Sequence, residues 1–138
     1  MSDETFAVRP IGVVRSPLRD LDEALRQGDE GAPEAEVVFD EQVIAALEGI
    51  EAGAVVELLT WLHLADRETL QTRPRGDPTR ALTGVFATRS PDRPNPIGLH
   101  TVTVLKTGPR TMQVAGLEAI DGTPVIDVKI ALPAPDQR

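Results

Sequence analysis

The chain contains no cysteine, so neither disulfides nor thiolate metal sites contribute to it. It also lacks a signal-peptide pattern and any apolar run long enough to span a bilayer, and a soluble, cytoplasmic protein is the expectation. Histidine is scarce: His63 and His100 are the only two, and no recognised metal spacing joins them. No metal is therefore expected. The phosphate loop, the dinucleotide glycine fingerprint and the nucleophile elbow are all missing. Ser90 lies between Arg89 and Pro91 with no base indicated, which argues against a serine triad. Internal repeats and low-complexity tracts are also absent.

What is present fits one domain spanning residues 1–138, long enough to bury a core without staples. The formal net charge of −8 argues against a protein that grips nucleic acid with its whole surface. Charge is segregated, however. Residues 1–51 hold thirteen Asp and Glu against four Arg, whereas Arg67 to Arg93 holds six Arg against Glu68, Asp77 and Asp92. A confined anionic contact near that arginine-rich stretch suits this distribution better than a broad one, unless the arginines pair with the acidic half.

Val8 to Arg15 reads as a first strand, closed by Ser16-Pro17. Arg19 to Pro33 lacks a sustained apolar face and reads as a long loop, and loops of that length are often functional. Glu36 to Phe39 predicts a second strand. Asp40 then caps a short helix with Val43, Ile44 and Leu47 on one face, ending before Gly49. Val55 to Leu64, rich in β-branched and apolar residues, predicts a strand rather than a helix. After a proline-punctuated loop over Thr69 to Arg80, further strands are predicted at Leu82 to Ala87, Ile97 to Leu105, Thr111 to Val114 and Val125 to Ile130. Gly108-Pro109 and Asp121-Gly122 mark turns. One short helix among so many strands points to a mostly β, antiparallel architecture with long loops, and a small barrel would remove exposed edges.

The run from Gly84 to Leu99 carries the strongest functional signal. Within it, Arg89 and Arg93 alternate with Pro91, Pro94 and Pro96, and each proline fixes its own φ and pushes the preceding residue towards extended geometry. Arg89 to Pro96 is thus a rigid loop whose guanidinium and amide groups are ordered before a ligand arrives. His63 is expected at the end of the Val55 to Leu64 strand, on one face with Leu59 and Trp61. A carbonyl-bound histidine and a core tryptophan are the alternatives for those two residues. The Asp121-Gly122-Thr123-Pro124 turn is a common hairpin signal on its own.

Taken together, Gly84 to Leu99, Leu117 to Lys129 and Ile11 to Pro17 resemble the TsaA-like family, whose best characterised bacterial members are the TrmO tRNA methyltransferases. The resemblance covers nearly the whole chain. It implies a single-sheet antiparallel β-barrel that dimerises and binds S-adenosyl-L-methionine. In TrmO the methyl group goes to the exocyclic nitrogen of threonylcarbamoyladenosine, beside the tRNA anticodon.

Carried over by motif, the implied cofactor contacts are Leu25, Arg26 and Gln27 after the first strand, and His63 with Leu64. Arg89, then Leu99 with His100, and finally Ile120, Asp121, Gly122, Thr123 and Pro124 complete the set. Backbone amides of the Gly122-Thr123 turn would hold an adenine edge, and arginines with Gln27 would fix the methionine carboxylate. Arg93, Asn95 and Lys129 are the residues expected to contact the acceptor. The acceptor nitrogen is conjugated to a carbonyl and calls for a base, for which His63 and Asp127 are both open.

Three departures from the family pattern bear on the acceptor more than on the cofactor. His100 stands where serine is common, Lys129-Ile130-Ala131 replaces a Lys-Pro-Tyr ending, and the chain ends at Arg138; in the cofactor loop, separately, Leu25 replaces a proline. The additional C-terminal domain of longer TrmO proteins is therefore expected to be absent. Besides a tRNA methyltransferase, the sequence is compatible with a methyltransferase for another acceptor and with a non-catalytic S-adenosylmethionine-binding module.

Overall fold

The computed structural model describes residues 3–18 and 34–133. Strands β1 (Gly12–Arg15), β2 (Ala35–Phe39), β3 (Val55–Trp61), β6 (Ile97–Thr107), β7 (Thr111–Ala115) and β8 (Pro124–Ile130) form a closed barrel in the order β1-β2-β7-β6-β3-β8. Every pairing is antiparallel, and β8 returns to β1 through Gly12 opposite Val125. The expected β-barrel is therefore the observed fold. No helix among the described residues is long and apolar enough to cross a membrane.

Alternation drives closure. In β2 the inward residues Ala35, Val37 and Phe39 are buried while Glu36 and Val38 are less so, as the period of a pleated strand requires. Val56 and Leu58 of β3, Val102 and Val104 of β6, Met112 and Val114 of β7 and Val125 of β8 complete the interior with Val14 and Leu117. One end is plugged by a 3₁₀ helix at Glu41–Leu47, whose cap is Asp40 accepting from the Gln42 amide at 3.0 Å. Val43 and Leu47 of that helix pack on the core. The expected cap and short helix are both present, in the tighter 3₁₀ form.

Three expected elements differ in their bounds by three residues or more. The first strand begins at Gly12 rather than Val8, which is 58% exposed. The expected strand Leu82 to Ala87 is reduced to β5 (Thr83–Gly84), paired with β4 (Gln71–Thr72) in a ribbon outside the barrel, followed by a 3₁₀ turn at Val85–Ala87. Six strands already close the sheet and leave no edge for a seventh, and Gly84 weakens the run from within. Finally β3 stops at Trp61, because its next partner is Pro96. Leu62 donates its amide to the Pro96 carbonyl at 2.8 Å, but Pro96 has no N–H to return.

The interior carries one polar pair near the other end. Gly98 and His100 of β6 face inward opposite Thr60 and Leu58, and Thr60 Oγ1 lies 2.9 Å from His100 Nε2. A Cβ on Gly98 would collide with Thr60 Oγ1 and come within 2.8 Å of His100 Nε2, so glycine is what admits the pair. Burial pushes the His100 imidazole down to about 4 from 6.5, and the positive field of Arg89 adds to the effect.

Two outcomes are expected from this architecture. The unfolded chain protonates His100 as pH falls through about 6.5, whereas the folded chain resists until about 4. The folded state thus binds fewer protons in that window, so the His100 contribution to stability declines as pH falls from 6.5 to 4 and is constant above it. Urea unfolding at several pH values should show a shallower decline in His100→Asn, and an unchanged slope would refute the assignment. Gly122 has φ of +86° with nothing within 4 Å of an added Cβ, so the penalty for substitution is one of backbone alone. Gly122→Val should cost about 1–3 kcal/mol and Gly122→Asn distinctly less, as read by thermal melting.

Candidate functional site

Among the described residues, the loops that carry expected site residues leave from one end of the barrel. Ser16 to Leu18 follow β1, residues 62–70 follow β3, the Arg89 to Pro96 loop leads into β6, and residues 116–123 join β7 to β8. Leu62, His63, Leu64 and Ala65 line a cleft whose other wall is Glu118, Ala119, Ile120 and Thr123. Four of the expected residues, His63, Leu64, Ile120 and Thr123, thus meet within one chain. His63 belongs to a turn closed by the Ala65 amide on the Leu62 carbonyl, at 3.0 Å, rather than to β3. The shared strand face expected for Trp61 and His63 does not exist, for the reason that Pro96 ends the ladder.

The Asp121 turn is built differently from expectation. Its amides are occupied internally: Asp121 N–H by the Leu18 carbonyl at 2.7 Å, Gly122 N–H by Val14 at 2.8 Å and Thr123 N–H by Ile120 at 3.2 Å. They are not available to hold an adenine edge. The turn instead anchors the segment after β1, since Asp121 Oδ1 accepts from the Ser16 amide at 3.0 Å. What it offers the cleft is the buried Ile120 side chain and Thr123, whose hydroxyl donates to the Ile120 carbonyl at 2.8 Å. Pro124 begins β8, opposite Val13.

The three arginines around the proline-rich loop have separate tasks. Arg93, expected to touch the acceptor, is half-buried and donates from Nε to the Ser90 carbonyl at 2.8 Å and from Nη2 to Val85 and Thr88, both at 2.8 Å. It holds the loop together from inside. Arg67, which the sequence did not single out, packs its guanidinium 5.2 Å from the centre of the Trp61 ring. It donates to the Pro94 carbonyl at 2.7 Å and to Asn95 Oδ1 at 3.2 Å. A stack of this kind at an exposed position contributes roughly 0.5–1 kcal/mol. The adjacent Asp66 amide donates to Asp92 Oδ1 at 2.8 Å, so the turn after β3 and the loop before β6 are tied at two points. Arg89 is exposed and donates from Nη2 to the Leu99 carbonyl at 3.0 Å.

Other expected residues lie elsewhere. Leu99 and His100 are neighbours on β6 and so face opposite sides of the sheet, His100 inward and Leu99 outward at 43% exposure. Leu59 of β3 pairs with Leu99 on one side and Asp127 of β8 on the other, which puts these three in one outward row. Asp127 Oδ1 accepts from the Val128 amide at 2.9 Å, and Oδ2 is 3.7 Å from Lys129 Nζ, also on the outer face. The structure therefore does not bring Asp127, Lys129 or the Leu99 side chain into the His63 cleft. Leu25, Arg26 and Gln27 lie outside the described residues. Among the described residues no group of three or more histidine and carboxylate side chains is placed to hold a metal ion.

The chain is similar to several known proteins. A protein of Methanothermobacter thermautotrophicus described as a probable S-adenosyl-L-methionine-binding protein is 44% identical over 129 residues, covering 94% of this chain and 92% of that one. An S-adenosyl-L-methionine-binding protein of Archaeoglobus fulgidus is 39% identical over 122 residues, covering 88% and 86%. Among solved structures, TrmO from Pseudomonas aeruginosa superposes with a TM-score of 0.71 at 29% identity over 94% of this chain. A second TrmO crystal structure gives 0.73 at 30% identity over 99%. This chain spans only 57% and 59% of the length of those two solved chains. Residues 13–137 match the model of the tRNA-methyltransferase O N-terminal domain, and the chain belongs to that family.

Proposed function

We propose that the protein binds S-adenosyl-L-methionine at the loop-bearing end of the barrel and acts there as a methyltransferase on tRNA. The observation that carries this reading is the convergence of His63, Leu64, Ile120 and Thr123 on one cleft in a chain of the TrmO family. Leu62, Leu64, Ala119 and Ile120 give the cleft apolar walls, though its free volume of about 30 Å³ is less than a nucleoside base fills, and the Glu118 that lines it suits a cationic sulfonium or ammonium group. The exposed Arg89 guanidinium suits a carboxylate. When bound, S-adenosyl-L-methionine supplies an electrophilic methyl group on sulfur.

The residues of this chain align the acceptor nitrogen and receive its proton. Holding the reacting groups at attack distance is the larger part of that task. We assign the proton to His63, which lines the cleft, rather than to Asp127, which faces outward beside Lys129. The acceptor read here is the exocyclic nitrogen of threonylcarbamoyladenosine, with the arginine-bearing loop as its approach. The protein works in the cytoplasm as a homodimer. Support for the dimer comes from the outer face of β3 and β6, where Ile97 and Leu99 are 42% and 43% exposed beside half-buried Trp61 and Leu59. The net charge of −8 favours, as a second reading, the same transfer to a small-molecule acceptor.

Incubation with labelled S-adenosyl-L-methionine and fractionated RNA, protein and metabolites separates these readings. Label in tRNA, recovered by mass spectrometry as methylated threonylcarbamoyladenosine, is expected. Label confined to metabolites would establish the second reading, and no transfer to any fraction would refute both. Arg89→Ala should weaken S-adenosyl-L-methionine binding about tenfold or more in calorimetry while changing stability by less than about 1 kcal/mol, since the side chain is exposed. Wild-type affinity would remove Arg89 from the site.

A further inference from the structure

The tip of the Arg89 to Pro96 loop is polarised. Pro94 and Pro96 contribute no N–H. The Asn95 carbonyl accepts from the Ile97 amide at 2.7 Å, and the Pro94 and Pro96 carbonyls accept from Arg67 Nε and the Leu62 amide. Asn95 Oδ1 accepts from Arg67 Nη2 at 3.2 Å. Arginine has donors only, so the atom turned towards it must be the amide oxygen. The amide nitrogen then faces away, with no partner among the described residues, on an exposed side chain.

We propose that Arg67, stacked on Trp61, is a positioning residue that fixes Asn95 as an outward hydrogen-bond donor, and that Asn95 reads an oxygen without hydrogen on the methyl acceptor. The proposal rests on the reading above that the acceptor approaches this loop. Such an oxygen is either a phosphate or a carbonyl, and both accept from an amide nitrogen in the same way. An acceptor that presents a donor at this point leaves two N–H groups facing each other and is rejected. Arg67 holds this selectivity without touching the acceptor, because its fork joins Pro94 and Asn95 while the ring of Trp61 fixes its plane. Lysine cannot substitute, since its single ammonium does not present a planar fork.

Two variants and two readouts test the idea. Asn95→Asp keeps an oxygen for Arg67, and so keeps the loop tied, but removes the outward donor. It should raise KM for tRNA about tenfold with kcat and S-adenosyl-L-methionine affinity little changed, as the loss of one hydrogen bond predicts. A rise that grows as salt is lowered marks a phosphate oxygen, and one independent of salt marks a carbonyl. Arg67→Lys should raise KM in the same way, whereas an unchanged KM in both variants overturns the proposal. The second readout needs no acceptor. The side-chain amide of Asn95 should give a restrained, well-dispersed pair of NMR signals in the wild type that collapses to the free-amide position in Arg67→Lys. A wild-type pair already averaged, or one indifferent to Arg67→Lys, refutes the positioning even if tRNA is methylated. Restrained signals in a protein that methylates no tRNA would instead refute the reading on which the Asn95 role rests.

Discussion

The loop-bearing end of this barrel depends on the point at which β3 and β6 cease to pair. Pro96 sets that point by accepting one hydrogen bond from Leu62 and offering none in return. With the ladder ended there, the chain after Trp61 turns away from the sheet and places His63 and Leu64 over the gap between β3 and the β7–β8 connection. Two residues further along β6, Gly98 leaves the space in which Thr60 and His100 meet. A ladder continuing through residue 96 would hold His63 on a strand and leave the cleft without one of its walls.

Stiffness in the neighbouring loop comes from prolines in the backbone and arginines across it. Arg93 collects three carbonyls from within, and Arg67 reaches in from the turn after β3. Arg89 remains largely turned to solvent. Residues of one type thus divide into internal brace, external clamp and exposed guanidinium according to which carbonyls lie within reach. Their shared positive charge also opposes the overall acidity of the chain at the loop-bearing end.

Most barrel strands were legible because burial alternates along them, and the arginine-proline loop was legible because proline acts locally. What escaped notice depends on partners distant in sequence. The end of β3 is decided by Pro96, and the loss of the Leu82 to Ala87 strand by closure of a sheet elsewhere. Arg67 carried no local signal, since its partners lie 27 and 28 residues away. The opposed faces of Leu99 and His100 follow from strand period alone and were readable, but the family resemblance joined them as one contact. The Asp121 turn illustrates the same limit, because its amides are claimed by Val14 and Leu18, more than a hundred residues earlier.

The stack of Arg67 on Trp61 has a consequence of another kind. Trp61 is the only tryptophan and the chain has no tyrosine, so the near-ultraviolet emission of the protein comes almost wholly from one indole. That indole sits between the outer sheet face and the clamp on the loop. A guanidinium held against it fixes its local field, and any event that shifts the clamp changes the colour of its light. The molecule carries its own optical gauge beside the arginine-bearing loop.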